Sequence, residues 1–164
     1  MLIALALTAL PAPARPMTAE ITRDAITDRV SATATLRADR DRLVIGCDPG
    51  RVRRLWINLD SARWFRRGNP YNGNIALTHR FDDQPARRMM WSVRDARATL
   101  VGIDRVRRFV DALAASNRLV IRARDVEGAS FDITFQIVDA GPAIARVREA
   151  CPLPPRRWFA WSWQ

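Results

Sequence analysis

The sequence predicts an α+β fold, mainly antiparallel β in a sandwich-like arrangement, with two helices at about 104–116 and 142–151. Three observations carry this. "SFDITFQIVD" alternates Phe131, Ile133, Phe135 and Ile137 with polar residues, which is the period of a half-buried strand. Several other short runs repeat that pattern. Two segments change to helical spacing, and at 164 residues the chain suits one domain with its own core.

Taken in order, residues 1–14, "MLIALALTALPAPA", form an apolar run that ends in Ala12-Pro13-Ala14. This has the look of a secretory signal with its small-residue cleavage site, and the run is too short to span a bilayer. The remainder divides into a single domain at 20–153 and an aromatic, basic tail at 154–164. Strands are expected near 29–37, in "RLVIGCD" with Leu43, Ile45 and Cys47 on one face, and in "RRLWINL" with Leu55, Ile57 and Leu59. "RRGNPYNGN", residues 66–74, concentrates turn formers and reads as a loop.

The stretch "THRFDDQPARRMMW" holds the single histidine of the chain. Alternation over 75–81 places Ile75, Leu77, His79 and Phe81 on one face, so His79 looks toward apolar neighbours. Asp82, Asp83, Gln84 and Pro85 make a turn, and Met89, Trp91 and Val93 alternate on a returning strand. The simplest reading is a hairpin. A hydrolase built on His79 with Asp82 or Asp83 is the weaker alternative. It needs a nucleophile or metal, and the sequence has no G-x-S-x-G elbow, H-E-x-x-H helix or phosphate-cradling glycine loop.

After Asp104, a candidate N-cap, Val106, Phe109, Val110 and Leu113 form one apolar stripe. "RLVIRARDV" is again a strand, with Leu119, Ile121 and Ala123 aligned. In "GPAIARVREAC", Pro142 suits a first helical turn, and Ile144, Val147 and Cys151 share a face; Pro152 then stops the helix. The tail carries Arg156, Arg157, Trp158, Phe159, Trp161 and Trp163, a set suited either to an interface or to a flap over the domain's own sheet.

Every cation is arginine: the sequence has 27 against 17 acids, for a net charge of +10. Such a surface favours anions, although base composition of the gene would give the same usage. Cys47 and Cys151 are the two cysteines, and an even count in an exported chain suggests one disulfide, with two buried thiols as the alternative. One histidine and two isolated cysteines make a poor metal set, so no metal or cofactor is expected.

The pieces "LVIGC", "THRFDDQPARRMMW", "FVDALAASNRLVIRARD" and "FDITFQIVDAGPAIARVREAC", in this order, resemble the VasI-like (TagO-like) small periplasmic proteins associated with type VI secretion. The resemblance covers about residues 20–153. It implies a Cys47–Cys151 bridge and structural roles for Arg80, Asp82, Pro85, Trp91, Phe131 and the Arg148-Glu149-Ala150 run, and it brings no catalytic residue. Gly46 stands where that pattern has a basic residue. The expectation is therefore a non-enzymatic, periplasmic or secreted accessory protein of the cell envelope with a protein partner there. A secreted binder of anionic polymer or membrane surface, acting through arginines and the Trp-rich tail, is the alternative. Nucleic acid is not expected as the partner.

Overall fold

The structure, a computed structural model, describes residues 15–48, 54–66 and 73–151. Residues 1–14 and the tail residues Arg156, Arg157, Trp158, Phe159, Trp161 and Trp163 lie outside the described residues, so those expectations have no structural counterpart. The fold is α+β and mainly β. Nine strands appear in chain order: β1 (Thr18–Arg23), β2 (Val30–Ala38), β3 (Asp41–Asp48), β4 (Arg54–Asp60), β5 (Asn74–Phe81), β6 (Arg87–Arg94), β7 (Arg97–Leu100), β8 (Arg118–Arg124) and β9 (Ser130–Gln136). Helix α1 (Ile103–Ala114) separates β7 from β8, and α2 (Ala140–Ala150) follows β9.

All nine strands belong to one antiparallel sheet in the order β1-β2-β3-β4-β7-β6-β5-β8-β9. Within this mainly antiparallel α+β architecture the sheet is continuous and curls. β2 and β9, near opposite ends of that order, approach each other. The N–H of Met17 donates to the carbonyl of Val138 at 2.9 Å, joining the chain just before β1 to the chain just after β9.

The curl follows from which side chains are apolar. Leu43, Ile45, Leu55, Ile57, Leu59, Leu77, Leu119, Ile121, Ile133 and Phe135 all alternate onto the inner face and are buried. A nine-stranded sheet with one apolar face excludes water from it by twisting around a filling, and the two helices supply that filling. α1 offers Val106, Phe109, Val110 and Leu113, and α2 offers Ala143, Ile144 and Val147. α2 lies against β1, β2 and β3, while α1 touches β4 and α2. Arg148 of α2 pairs with Asp111 of α1.

The helix starts differ from expectation by a residue or two. Gly102, not Asp104, is the N-cap of α1, with a φ of 100°, and Asp104 falls in the first turn, where a carboxylate still favours the helix dipole. α2 begins at Ala140, so Pro142 is its third residue, where no intrahelical N–H is required. Short turns are closed by left-handed aspartates: Asp28, Asp39, Asp82, Asp95 and Asp139 all have φ between 44° and 55°. Aspartate tolerates this region better than most residues because its short polar side chain satisfies nearby backbone.

The sulfurs of Cys47, near the end of β3, and Cys151, just past α2, lie at disulfide distance, with Cα atoms 6.2 Å apart and a sequence separation of 104. Both residues are buried. Closing a loop of ~100 residues is worth about 4.7 kcal/mol in a chain-entropy picture. Non-reducing peptide mapping of the oxidised protein should therefore show Cys47 linked to Cys151. Cys47→Ser should lower unfolding free energy by about 2–5 kcal/mol in urea titrations. Free thiols in the oxidised protein would refute the pairing.

Candidate functional site

The β5–β6 hairpin brings its polar residues to separate places. His79 is only 5% exposed and sits among rings: Phe81 at 5.7 Å, edge-on, and Phe109 of α1 at 5.2 Å. Trp91 packs edge-to-face on the same Phe109 at 5.8 Å and is 1% exposed. Neither His79 Nδ1 nor Trp91 Nε1 has a hydrogen-bond partner among the described residues. Burial, then the charge of Arg87 across the hairpin, holds the imidazole below its ordinary 6.5, so it is neutral at pH 7.

Asp82 does not turn toward His79 or Arg80. Its Oδ1 accepts the N–H groups of Asn117 and Arg118 at 3.0 and 2.8 Å, and its own N–H donates to the Arg118 carbonyl. The carboxylate thus fixes where β8 begins. Asp83 is exposed and pairs with Arg118 at 3.1 Å. Arg80 and Pro85 are exposed. The hairpin residues therefore hold the turn and the core, and the histidine and the two aspartates are not assembled.

Phe131 is half-buried and stacks on Phe65 at 6.1 Å, while the Arg63 guanidinium lies 5.3 Å above its ring. Phe65 belongs to a segment after β4 that crosses one end of the sheet, bonding to Asp95 and bridging to Asp125. Between this segment, the β2–β3 turn and the start of β9 lies an open cleft of about 640 Å³ lined by Asp39, Arg40, Asp41, Arg63, Phe131 and Asp132. Two of its carboxylates are already engaged: Asp41 accepts the Ala62 N–H, and Asp132 takes both Nε and Nη2 of Arg122.

The outer face of the sheet presents a more ordered arrangement, in three levels. At the first, Gly46 pairs with Trp56, and a Cβ added at 46 would collide with Cε2, Cζ2 and Cη2 of the indole. Glycine at 46 is what lets the ring lie across β3, leaving Trp56 partly exposed. A basic side chain there would displace it. At the second level, Thr35, Val44, Asn58, Thr99 and Ser92 align across five strands, and the Thr99 hydroxyl donates to Asn58 Oδ1 at 2.8 Å.

At the third level, Arg37, Arg42, Asp60, Arg97 and Arg94 align in the same way. Asp60 is gripped by Arg42 at 2.7 Å and Arg97 at 2.5 Å. Burial raises the pKa of Asp60, but hydrogen bonds from Arg97 and Arg42 outweigh it and hold the carboxyl below its ordinary 3.8. The row therefore carries four guanidinium charges against one fixed carboxylate. Arg37 and Arg94 have no ion-pair partner among the described residues.

None of these outer residues stood out as a site in the sequence. The available signal was the position of Trp56 between Leu55 and Ile57, which assigns the indole to the polar side of the alternation. The chain matches no family model, no curated protein and no solved structure.

Two expectations follow for the inner cluster. Trp91→Ala should cost about 3–5 kcal/mol, as removal of a large buried ring does. Because His79 resists protonation when folded, the unfolded chain binds the extra proton first as pH falls below 6.5, and stability drops in that window. Urea midpoints should thus be lower at about pH 5 than at about pH 7 for the wild type, and His79→Leu should remove most of that difference. An unchanged difference in the variant would refute the assignment.

Proposed function

We propose that this chain is a non-enzymatic, exported accessory or interaction protein of the cell envelope, of the VasI-like kind that its motifs resemble, with a role alongside type VI secretion as the specific form of that reading. The observation that supports it most is the pairing of Cys47 and Cys151, which ties β3 to the end of α2 and suits an oxidising compartment. The apolar start of the chain agrees with passage to such a compartment. Among the described residues, no helix is long and apolar enough to cross a membrane.

A second reading has its own support. The arginine row, together with the net charge of +10, favours a secreted binder of anionic polymer or membrane surface. In this reading the rigid outer sheet face is the contact surface, and the protein partner of the first reading is replaced by an anionic one.

Export is tested directly by expressing the full chain with a C-terminal epitope in a bacterium with two membranes. The protein should appear in the osmotic-shock fraction, shortened by removal of its apolar start, with Cys47 and Cys151 linked. Full-length protein confined to the cytosol with both thiols alkylatable would overturn the proposal.

A further inference from the structure

The outer sheet face has the composition of a site for an acidic sugar chain, and the three levels give each part of such a ligand a place. We propose that this face binds an oligosaccharide whose rings carry carboxylates, a uronate chain; the inference rests on the second reading above and names its ligand class. The indole of Trp56 lies over Gly46 and is partly exposed. The electron-rich face of an aromatic ring attracts the partially positive C–H groups on the flat side of a pyranose ring. Two residues along β4, roughly 7 Å away at strand spacing, the level of Asn58, Thr99 and Ser92 offers amide and hydroxyl groups to sugar hydroxyls. Oδ1 of Asn58 is taken by Thr99, which leaves its two amide N–H donors for a ligand. Another two residues on, roughly 13 Å from Trp56, Arg37, Arg42, Arg97 and Arg94 face the position of further carboxylates.

The order of the levels argues for a sugar chain over other polyanions. A nucleic-acid duplex keeps its bases stacked on one another and turns its phosphates outward, so it would meet the guanidiniums and leave the indole of Trp56 without a flat partner. A bilayer is flat, whereas the lower two levels each run across five strands of a curled sheet, so a membrane plane would touch only part of each of them. Asp60 also fits: ionised and held between Arg42 and Arg97, it fixes both guanidiniums in place before any ligand arrives.

The test uses the purified full chain in calorimetry against hexagalacturonate, with cellohexaose as the neutral sugar, phosphatidylglycerol vesicles and a DNA duplex as the other anionic probes. Hexagalacturonate should bind, more weakly as salt rises, and bind better than each of the other three. Trp56→Ala should weaken this binding about tenfold or more, in the range of an aromatic anchor. The double variant Arg37→Ala and Arg94→Ala, which breaks no ion pair among the described residues, should also weaken it and flatten its salt dependence. Retention of the wild-type circular dichroism spectrum and melting temperature by the double variant separates loss of binding from loss of fold. Absence of hexagalacturonate binding would overturn the proposal. So would equal affinity of the Trp56→Ala protein, or tighter binding of DNA or vesicles. Because the measurement is made on purified protein, its failure is distinct from a failure of export.

Discussion

One-sided burial is the constraint from which the architecture follows. The strands alternate strictly enough that ten large aliphatic and aromatic inner residues, from Leu43 to Phe135, fall on one face. An isolated sheet of this kind would leave that face wet. Burying each such side chain is worth roughly 1.5–3 kcal/mol, so the sheet wraps around whatever apolar element the chain can supply. Here it supplies the stripe of α1 and the shorter stripe of α2. Phe109 has the most connected place in this filling, touching Phe81, His79 and Trp91 from two strands. The Cys47–Cys151 pair acts elsewhere, fixing the far end of α2 to β3, where no comparable aromatic cluster holds it among the described residues.

The same constraint divides the labour of the two faces. Since the helices fill the inside, the outer face contributes little to the core and is free to carry small polar residues, an indole and a row of arginines. Gly46 illustrates the division. On the inner side its neighbours Ile45 and Cys47 are buried core residues, while on the outer side the absence of a side chain admits Trp56. Asp60 illustrates it too: its ion pairs sit on a rigid sheet surface, so the guanidiniums of Arg42 and Arg97 are ordered without any contribution from the core. Elsewhere three aspartates organise turns and strand starts through the backbone. Asp24 accepts the backbone N–H groups of Ile26 and Thr27, Asp82 those of Asn117 and Arg118, and Asp125 those of Glu127 and Ala129.

Periodicity made most of the inside legible. His79 was placed toward apolar neighbours by alternation alone, and Ile144, Val147 and Cys151 were placed inward by helical spacing; all four are buried. What stayed hidden lacked a periodic signal. β1, "TAEITR", is an edge strand with no buried residue, so nothing in its sequence alternates. β7 has four residues and follows β6 through Asp95-Ala96, a turn without glycine, proline or asparagine. Its left-handed residue is an aspartate, which sequence alone does not distinguish from a surface acid. Alternation likewise says which side of a strand is buried but not whether the opposing layer is a second sheet or a helix. The outer site was obscured because its three levels come from strands distant in sequence, aligned only by register.

The central claim is that the inner face, gathered on Phe109, is the core while the outer face stands open to solvent. Hydroxyl-radical footprinting of the native protein, read by mass spectrometry, tests it most directly, because tryptophan reacts fast wherever it is accessible. The account predicts rapid oxidation of Trp64, which follows β4 and is 62% exposed, and measurable oxidation of the partly exposed Trp56, with Trp91 and Phe109 protected until the protein unfolds. Oxidation of native Trp91 as fast as that of Trp64 would contradict it.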